Sequence, residues 1–175
     1  MPRTLILFIC SIACSMLTAQ ESMRLKDGKS YPASLTWDFI CENYALSGAT
    51  SIQIARTEKG GLLKIGVETT DAKFTISGTV YLYLRDNTFI ICKDKNWRDV
   101  GNKQIYSYYM LTAIEMNRLK ETEISSIRYT IKGKLSPFSS QIGSFTALNK
   151  KKYFTTVYDS TIKSFDTASA IKALY

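Results

Sequence analysis

Carboxylates are the only side chains of this chain that could serve as a conventional acid and base pair, because the sequence contains no histidine. Without imidazole there is no Ser-His-Asp or Cys-His nucleophile system and no histidine ligand for zinc or haem. Two carboxylates at the right spacing can still hydrolyse glycosides. The mid-chain candidates are Asp86, Asp94, Asp99, Glu115, Glu121 and Glu123. None stands in an apolar run of the kind that favours acid catalysis, so a carboxylate-dependent hydrolase acting on an exported or extracellular substrate is the alternative prediction.

Aromatic side chains are the second group of candidates, and they indicate binding. The chain has 11 tyrosines, and Tyr81 and Tyr83 alternate along one predicted strand. A tyrosine ring offers apolar contact area and a hydroxyl group, which suits a sugar or a peptide. Trp97 stands in a polar loop, and Arg128 precedes a strand tyrosine. We predict these four as binding residues; the alternative is that the rings pack in the core or on the sheet.

The cysteines leave two structural interpretations open. Cys10 and Cys14 lie in an apolar amino-terminal segment, whereas Cys41 and Cys92 lie in the rest of the chain. In an oxidising compartment the second pair can form a disulfide. Both residues also have apolar neighbours, among which a thiol packs as a small apolar side chain. A Cys41–Cys92 bridge and two buried thiols are both retained as predictions.

The segment Met1–Ala19 has the layout of a secretory signal peptide. Arg3 gives a positive start, the run from Leu5 to Leu17 is apolar, and a small residue ends the segment. The apolar run is shorter than the roughly 20 residues of a spanning helix. We therefore expect cleavage after Ala19 and export to the periplasm or out of the cell. A lipoprotein anchored through Cys14 is the alternative.

The charge limits the classes of partner. A formal net charge of +8 draws an exported protein toward anionic molecules. The lysines are dispersed apart from Lys150-Lys151-Lys152, which is typical of a solvated loop. Aromatic and basic residues alternate only in stretches too short for a nucleic-acid binding motif. We predict a protein or glycan partner in the cell envelope, no nucleic acid, no metal and no cofactor, and the sequence leaves the oligomeric state open.

The hydrophobic pattern predicts the elements that position these residues. Residues 20–34 are polar and predict a loose leader ahead of a single domain over 35–175. Alternation with a period of two then predicts strands and hairpins, with turns at Lys59-Gly60-Gly61 and Arg85-Asp86-Asn87, and Gly101-Asn102 marks a further turn. The predicted strands cover 36–44, 51–56, 63–67, 79–84, 88–92, 105–110, 127–131 and 153–158.

Two helices are predicted late in the chain. Thr112 and Glu115 have the spacing of a capping box, which predicts a short helix to about Lys120. Asp159-Ser160 can cap a closing helix with apolar residues at helical spacing. Strands followed by helices indicate an α+β fold, with a mainly antiparallel sheet, one short internal helix and a carboxy-terminal helix packed on the sheet.

The stretch from Gly78 to Lys132 carries a resemblance. It combines a strand–turn–strand unit, a Tyr-rich strand, a capped helix over 111–120 and an Ile-x-x-Ile-Arg segment over 124–128. In these features it resembles a group of small secreted bacterial proteins without an established activity. The resemblance implies export and an α+β fold, and it implies no catalytic residue. The predicted function is an exported, non-catalytic domain of the bacterial envelope that binds a protein or glycan.

Overall fold

The computed structural model of the chain describes residues 20–44, 46–133, 140–152 and 163–175. The described chain is mainly antiparallel sheet with two short helices, which confirms the predicted sheet-rich α+β class. The predicted signal peptide, the strand predicted over 153–158 and the cap predicted at Asp159-Ser160 lie outside the described residues. Within the described ranges, no helix has the length and apolar character needed to cross a membrane.

The strands form one sheet in which every pair is antiparallel. The bounds are β1 (Glu21–Arg24), β2 (Ser30–Ala33), β3 (Trp37–Ile40), β4 (Ala49–Thr57), β5 (Gly60–Glu68), β6 (Thr75–Ile76), β7 (Val80–Leu84), β8 (Phe89–Cys92), β9 (Arg98–Gly101), β10 (Gln104–Thr112), β11 (Ile124–Lys132) and β12 (Gly143–Leu148). The order of the strands in the sheet is β8-β7-β11-β12-β3-β4-β5-β10-β9, with β2 joining β1 to β4 and β6 beside β11. The helices are α1 (Ala113–Glu121) and α2 (Thr167–Lys172).

The sheet curls until its two ends meet along a line of hydrogen bonds, here called the seam (Ile76, Gly78, Asp94, Arg98 and Ser107). The Arg98 Nε–H and the Ser107 hydroxyl both donate to the Ile76 carbonyl, each at 3.0 Å. The Asp94 carboxylate accepts from the Gly78 N–H at 2.7 Å and pairs with Arg98. The seam therefore fastens the β9–β10 end of the sheet to the segment that contains β6.

The apolar core lies inside the curl, because every second residue of each strand points there. β4, β5, β7 and β11 contribute buried side chains at alternate positions, and the outward positions between them are more polar. The inward residues of these strands are Ile52, Ile54, Leu63, Ile65, Val67, Val80, Leu82, Leu84, Ile127, Tyr129 and Ile131.

Helix α1 begins as the sequence predicts. The Thr112 hydroxyl accepts from the Glu115 N–H at 3.2 Å, and the Glu115 carboxylate accepts from the Thr112 N–H at 2.7 Å, which confirms the capping box. Met116 and Leu119 are fully buried in the core. On another side of the helix, Arg118 donates to the Thr88 hydroxyl at 2.6 Å and to the Phe89 carbonyl at 3.4 Å. The helix thus contacts strand β8 at one end of the sheet.

The opposite contact of α1 depends on two glycines at the start of β5. A methyl group on Gly61 would lie 2.2 Å from the Met116 sulfur, and one on Gly60 would lie 2.2 Å from the Leu111 carbonyl oxygen. Gly60 also has a φ of +149°, which disfavours any L side chain. The sequence pattern assigned this glycine pair to a turn. In the structure both glycines lie in β5, where the absence of side chains leaves room for Met116 and for the backbone at the start of α1.

Residues 20–34 differ from the predicted loose leader. They contain the hairpin β1–β2, which packs across the outer side of the sheet with Met23 and Leu25 buried. These two residues form a second apolar cluster with Ala33, Ala55, Leu62 and Tyr108. The segment has a polar composition because only a few of its side chains, those of Met23, Leu25 and Ala33, are buried in this contact.

Two further element predictions need correction. The turn predicted at Gly101-Asn102 lies one residue later, at Asn102-Lys103, where both residues have positive φ (52° and 59°) and join β9 to β10. Helix α2 begins at Thr167, with Asp166 accepting from the Ser169 N–H at 2.9 Å as its N-cap. The described residues 163–166, inside the predicted closing helix, are not helical.

The structure does not support the Cys41–Cys92 bridge, because both thiols are free and buried. Burial is the main cause that raises the pKa of Cys41 and raises that of Cys92 to about 12. The second prediction, two thiols packed as small apolar side chains, agrees with this placement.

Replacing Gly60 with alanine tests the close approach of α1. The new methyl group would collide with the backbone of Leu111 and Thr112, and residue 60 would keep a positive φ that disfavours alanine. We therefore expect the free energy of unfolding to fall by about 2 kcal/mol or more. The melting temperature should fall by roughly 4–8 °C. The matched control is Gly101→Ala, since a methyl group there meets no heavy atom within 4 Å. Equal melting temperatures for the two variants would contradict the packing described here.

The buried thiols and phenols predict a loss of stability in alkali. Burial raises the pKa of Cys92, Tyr44, Tyr108 and Tyr109 to about 12 in each case. In the unfolded chain these groups ionise near about 8.5 for cysteine and 10 for tyrosine. The stability that these groups give to the folded chain in their un-ionised form is therefore fully present below about pH 8.5, and it is lost as the pH rises toward 12. Melting temperatures measured between pH 8 and pH 11 should fall steadily.

The reaction of the two thiols with a reagent tests their burial directly. In a chain carrying Cys10→Ser and Cys14→Ser, the two remaining thiols should not react with a disulfide reagent at pH 8 until denaturant is added. Rapid reaction of either thiol in the folded chain would contradict their burial.

Candidate functional site

Three of the four predicted binding residues come together on the outer side of the sheet, where β7, β8 and β11 lie side by side. Tyr81 and Tyr83 point outward from β7, because the residues between and around them point into the core. Their ring centroids lie 6.5 Å apart with an interplanar angle of 26°. Arg128 is exposed directly opposite Tyr81 in the register of β11 with β7.

Strand β8 extends this surface with two apolar side chains. Phe89 is opposite Tyr83 in the register, and its ring centroid lies 6.3 Å from that of Tyr81 and 6.2 Å from that of Tyr83. Ile91 is opposite Tyr81. Phe89 and Ile91 are 49% and 47% exposed. Together, Tyr81, Tyr83, Phe89, Ile91 and Arg128 form what we call the aromatic face.

A shallow polar hollow of about 290 Å³ lies beside the aromatic face. Its lining combines the tyrosine rings with the Arg128 guanidinium and with hydroxyl groups of three strands: Thr79, Tyr81, Tyr83, Arg128, Tyr129, Thr130 and Ser144. The Thr130 and Ser144 hydroxyls lie 3.1 Å apart, so they can share one hydrogen bond. The hollow offers donors and acceptors next to flat rings.

The charges around the aromatic face are mainly positive. Arg128 belongs to no ion pair formed within the described ranges. The Arg118 guanidinium extends from α1 to the Thr88 hydroxyl, just before β8. The nearest hairpin turn contains Asp86, whose carboxylate accepts from the Thr88 N–H at 2.9 Å. Hydrogen bonds from Thr88, and more weakly the charge of Arg118, lower the pKa of Asp86. This carboxylate is therefore ionised and engaged in its own turn at neutral pH.

The fourth predicted residue, Trp97, lies in a different place. Its ring centroid is 5.3 Å from that of Tyr108, and its carbonyl accepts from the Tyr108 N–H at 2.9 Å. It is half-buried against the second apolar cluster, as are Tyr31 and Tyr106. Trp97 thus covers the edge of a small core and lines a separate cavity of about 570 Å³.

A third hollow, of about 210 Å³, contains a lysine that the sequence did not single out. The Lys64 ammonium lies 4.4 Å from the ring centroid of Tyr106, a cation–π contact. Burial lowers the pKa of Lys64, and the charges of Asp99 and Glu21 oppose that effect. The Tyr106 hydroxyl donates to the Gln104 side chain at 2.6 Å, and the Gln53 side chain donates to Glu21 and to the Ser34 carbonyl, so several polar groups of this hollow are already hydrogen-bonded.

Five of the six candidate carboxylates make separate structural contacts. Asp94 belongs to the seam, Glu115 to the capping box and Asp86 to its hairpin turn. Asp99 lies 2.6 Å from the Lys26 ammonium, and Glu123 lies 2.8 Å from Arg85 Nε. Among the residues that the structure describes, no group of three or more acidic residues and cysteines is placed to hold a metal ion.

The sequence pattern missed Phe89 and Ile91 as members of the site. Strand propensity and alternation indicate the hairpin, but both sides of β8 are apolar, so alternation alone does not say which side faces solvent. On β11, the residues that alternate with the buried ones are polar, and these residues were the signal that the sequence offered. They show that the outer side of this part of the sheet is solvated.

Comparisons with known proteins were made for the whole chain. No protein-family model matches it, and no significant match was found among curated proteins or among solved structures.

Proposed function

We propose that this protein is an exported, non-catalytic domain of the bacterial envelope that binds a protein partner through the aromatic face. The observation that carries the proposal is the cluster of three aromatic rings and Ile91 on the solvent side of a hairpin at the edge of the sheet. Large apolar side chains gathered on a surface mark interaction sites, whereas scattered ones do not.

The composition of the aromatic face favours a protein partner. The centres of protein interfaces are enriched in tyrosine, phenylalanine and arginine and are depleted of lysine and carboxylates. The aromatic face has this composition, and its two most exposed apolar side chains are Phe89 and Ile91. Tyrosine rings also bind with little loss of side-chain entropy, since they rotate about only two bonds.

A glycan partner is the second candidate. The hollow beside Tyr81 supports it, because it places the Arg128 guanidinium and the Ser144 hydroxyl next to flat rings. Sugars need this combination of apolar area and hydrogen-bonding groups.

A carboxylate-dependent hydrolase is the alternative in which the protein is an enzyme. The structural partners of Asp94, Glu115 and Glu123 favour binding over hydrolysis.

The proposal includes the cellular setting and the finer arrangement of the fold. Export to the periplasm or out of the cell follows from the signal-peptide pattern of Met1–Ala19, with a lipid anchor at Cys14 as the alternative. We also propose that both helices pack on the sheet of a single domain. The burial of Met116, Ile171 and Leu174 supports that arrangement.

Truncating the aromatic face tests the binding proposal. The purified chain, immobilised, should recover a partner from envelope extract, and the double variant Tyr83→Ala, Arg128→Ala should weaken binding of the purified partner about tenfold or more. Tyrosine and arginine at the centre of an interface commonly carry that much binding energy. The measurement is a titration of the partner against each form by calorimetry.

A variant outside the aromatic face provides the control. Ile114 on α1 is 74% exposed, so Ile114→Ala should leave both binding and melting temperature unchanged. If the double variant binds as well as the original chain, the aromatic face is not the binding surface. If binding survives protease treatment of the extract but not glycoside hydrolases, the glycan candidate replaces the protein candidate.

The export part of the proposal predicts a defined amino terminus. Intact mass measured on the chain from the exported fraction of its host should correspond to a start at Gln20. A lipid-modified Cys14 at the amino terminus would favour the anchored alternative. An intact Met1 in the cytosolic fraction would contradict export.

A further inference from the structure

The cavity that Trp97 lines is larger than the hollow beside the aromatic face, and we infer that it binds a small amphipathic anion with a flat apolar body. Its volume of about 570 Å³ lies within the range of small-molecule sites. Residues of three separate segments converge on it: Tyr31 from β2, Leu62 from β5, and Trp97 before β9. It shares no lining residue with the hollow of the aromatic face.

The hairpin β1–β2 creates the cavity. Met23 and Leu25 hold the hairpin against the outer side of the sheet, where they pack with Tyr108 in the second apolar cluster. Beyond this contact, the Lys29 end of the hairpin stands apart from the sheet opposite the β4–β5 turn. The space between them is the cavity, so its walls belong to elements that are fixed elsewhere by buried contacts.

The Trp97 indole is held in place before any ligand arrives. The tilted contact with the Tyr108 ring, at 5.3 Å between centroids, fixes one side of the residue, and the backbone hydrogen bond from the Tyr108 N–H fixes its carbonyl. A rigid aromatic side chain loses little entropy when a ligand packs against it. Trp97 is therefore suited to contact a flat ring system.

The other apolar lining residues favour the same kind of ligand. Leu62 is buried and lies in the wall, whereas Met110 is 58% exposed. A methionine side chain is flexible and polarisable, and it packs well against aromatic rings. Burying Met110 under an apolar ligand removes its surface from water, which favours binding.

The polar end of the cavity favours an anion. Its lining contains two ammonium groups, those of Lys29 and Lys59, and one carboxylate, that of Glu58. Lys29 also pairs with Asp27, at 3.4 Å, on the solvent side. Lys59 forms no ion pair within the described part of the chain. A carboxylate, sulfonate or phosphate on the ligand would supply the partner for Lys59, and the net charge of +8 draws such a ligand in.

Two fluorescent probes that differ in one group test this inference. The first is 8-anilinonaphthalene-1-sulfonate, and the second is N-phenyl-1-naphthylamine, which has the same rings without the sulfonate. The full folded chain should bind each probe saturably at one site. Trp97→Ala should weaken both about tenfold or more. Lys59→Gln should weaken the sulfonate probe severalfold and leave the neutral probe unchanged.

Controls separate loss of the site from loss of the fold. Met110→Glu places a negative charge in the cavity at an exposed position, so it should abolish binding of the sulfonate probe while the melting temperature stays unchanged. Ile114→Ala should bind both probes as the original chain does.

Three outcomes would overturn the inference. The first is no saturable binding of either probe. The second is unchanged binding in both Trp97→Ala and Met110→Glu, which would place the probes elsewhere. The third is an equal effect of Lys59→Gln on both probes, which would remove the anion from the ligand class. None of these outcomes depends on the partner of the aromatic face.

Discussion

The connection from β8 to β9 constrains the whole molecule, because it is short and joins the two ends of the sheet. In a flat sheet with strands about 4.8 Å apart, eight strand spacings would put these ends roughly 38 Å from each other. The extended chain between Cys92 and Arg98 can reach only about 21 Å. The sheet must therefore curl, and the hydrogen bonds to the Ile76 carbonyl hold it in that shape.

The curl divides the molecule into an interior used for packing and an outer side available for binding. Inside, the strands and α1 fill the space so closely that a side chain at Gly60 would collide with backbone atoms of Leu111 and Thr112. Outside, the same short connection lies between the two candidate sites: four of the five residues of the aromatic face belong to β7 and β8, just before it, and Trp97 of the cavity stands at its end. Both sites use side chains that the curl turns away from the core, so neither weakens the packing.

Local signals predicted much of this arrangement, and contacts between distant segments account for the rest. The capping box of Thr112 and Glu115 and the β7–β8 hairpin depend on neighbouring residues, so the pattern identified them. Tyr81, Tyr83 and Arg128 were recognised from residue type and strand alternation. The role of Gly60 and the packing of Met23 on Tyr108 depend on chain segments far apart in sequence. Helix α2 begins at Thr167, where Asp166 caps it.

Strand β8 is one end of the sheet, and such ends can add strands from other chains. Here the strand is only four residues long, and a guanidinium from α1 already occupies the Phe89 carbonyl. The chain thus limits self-association into extended fibrils at the strand that also carries exposed phenylalanine and isoleucine.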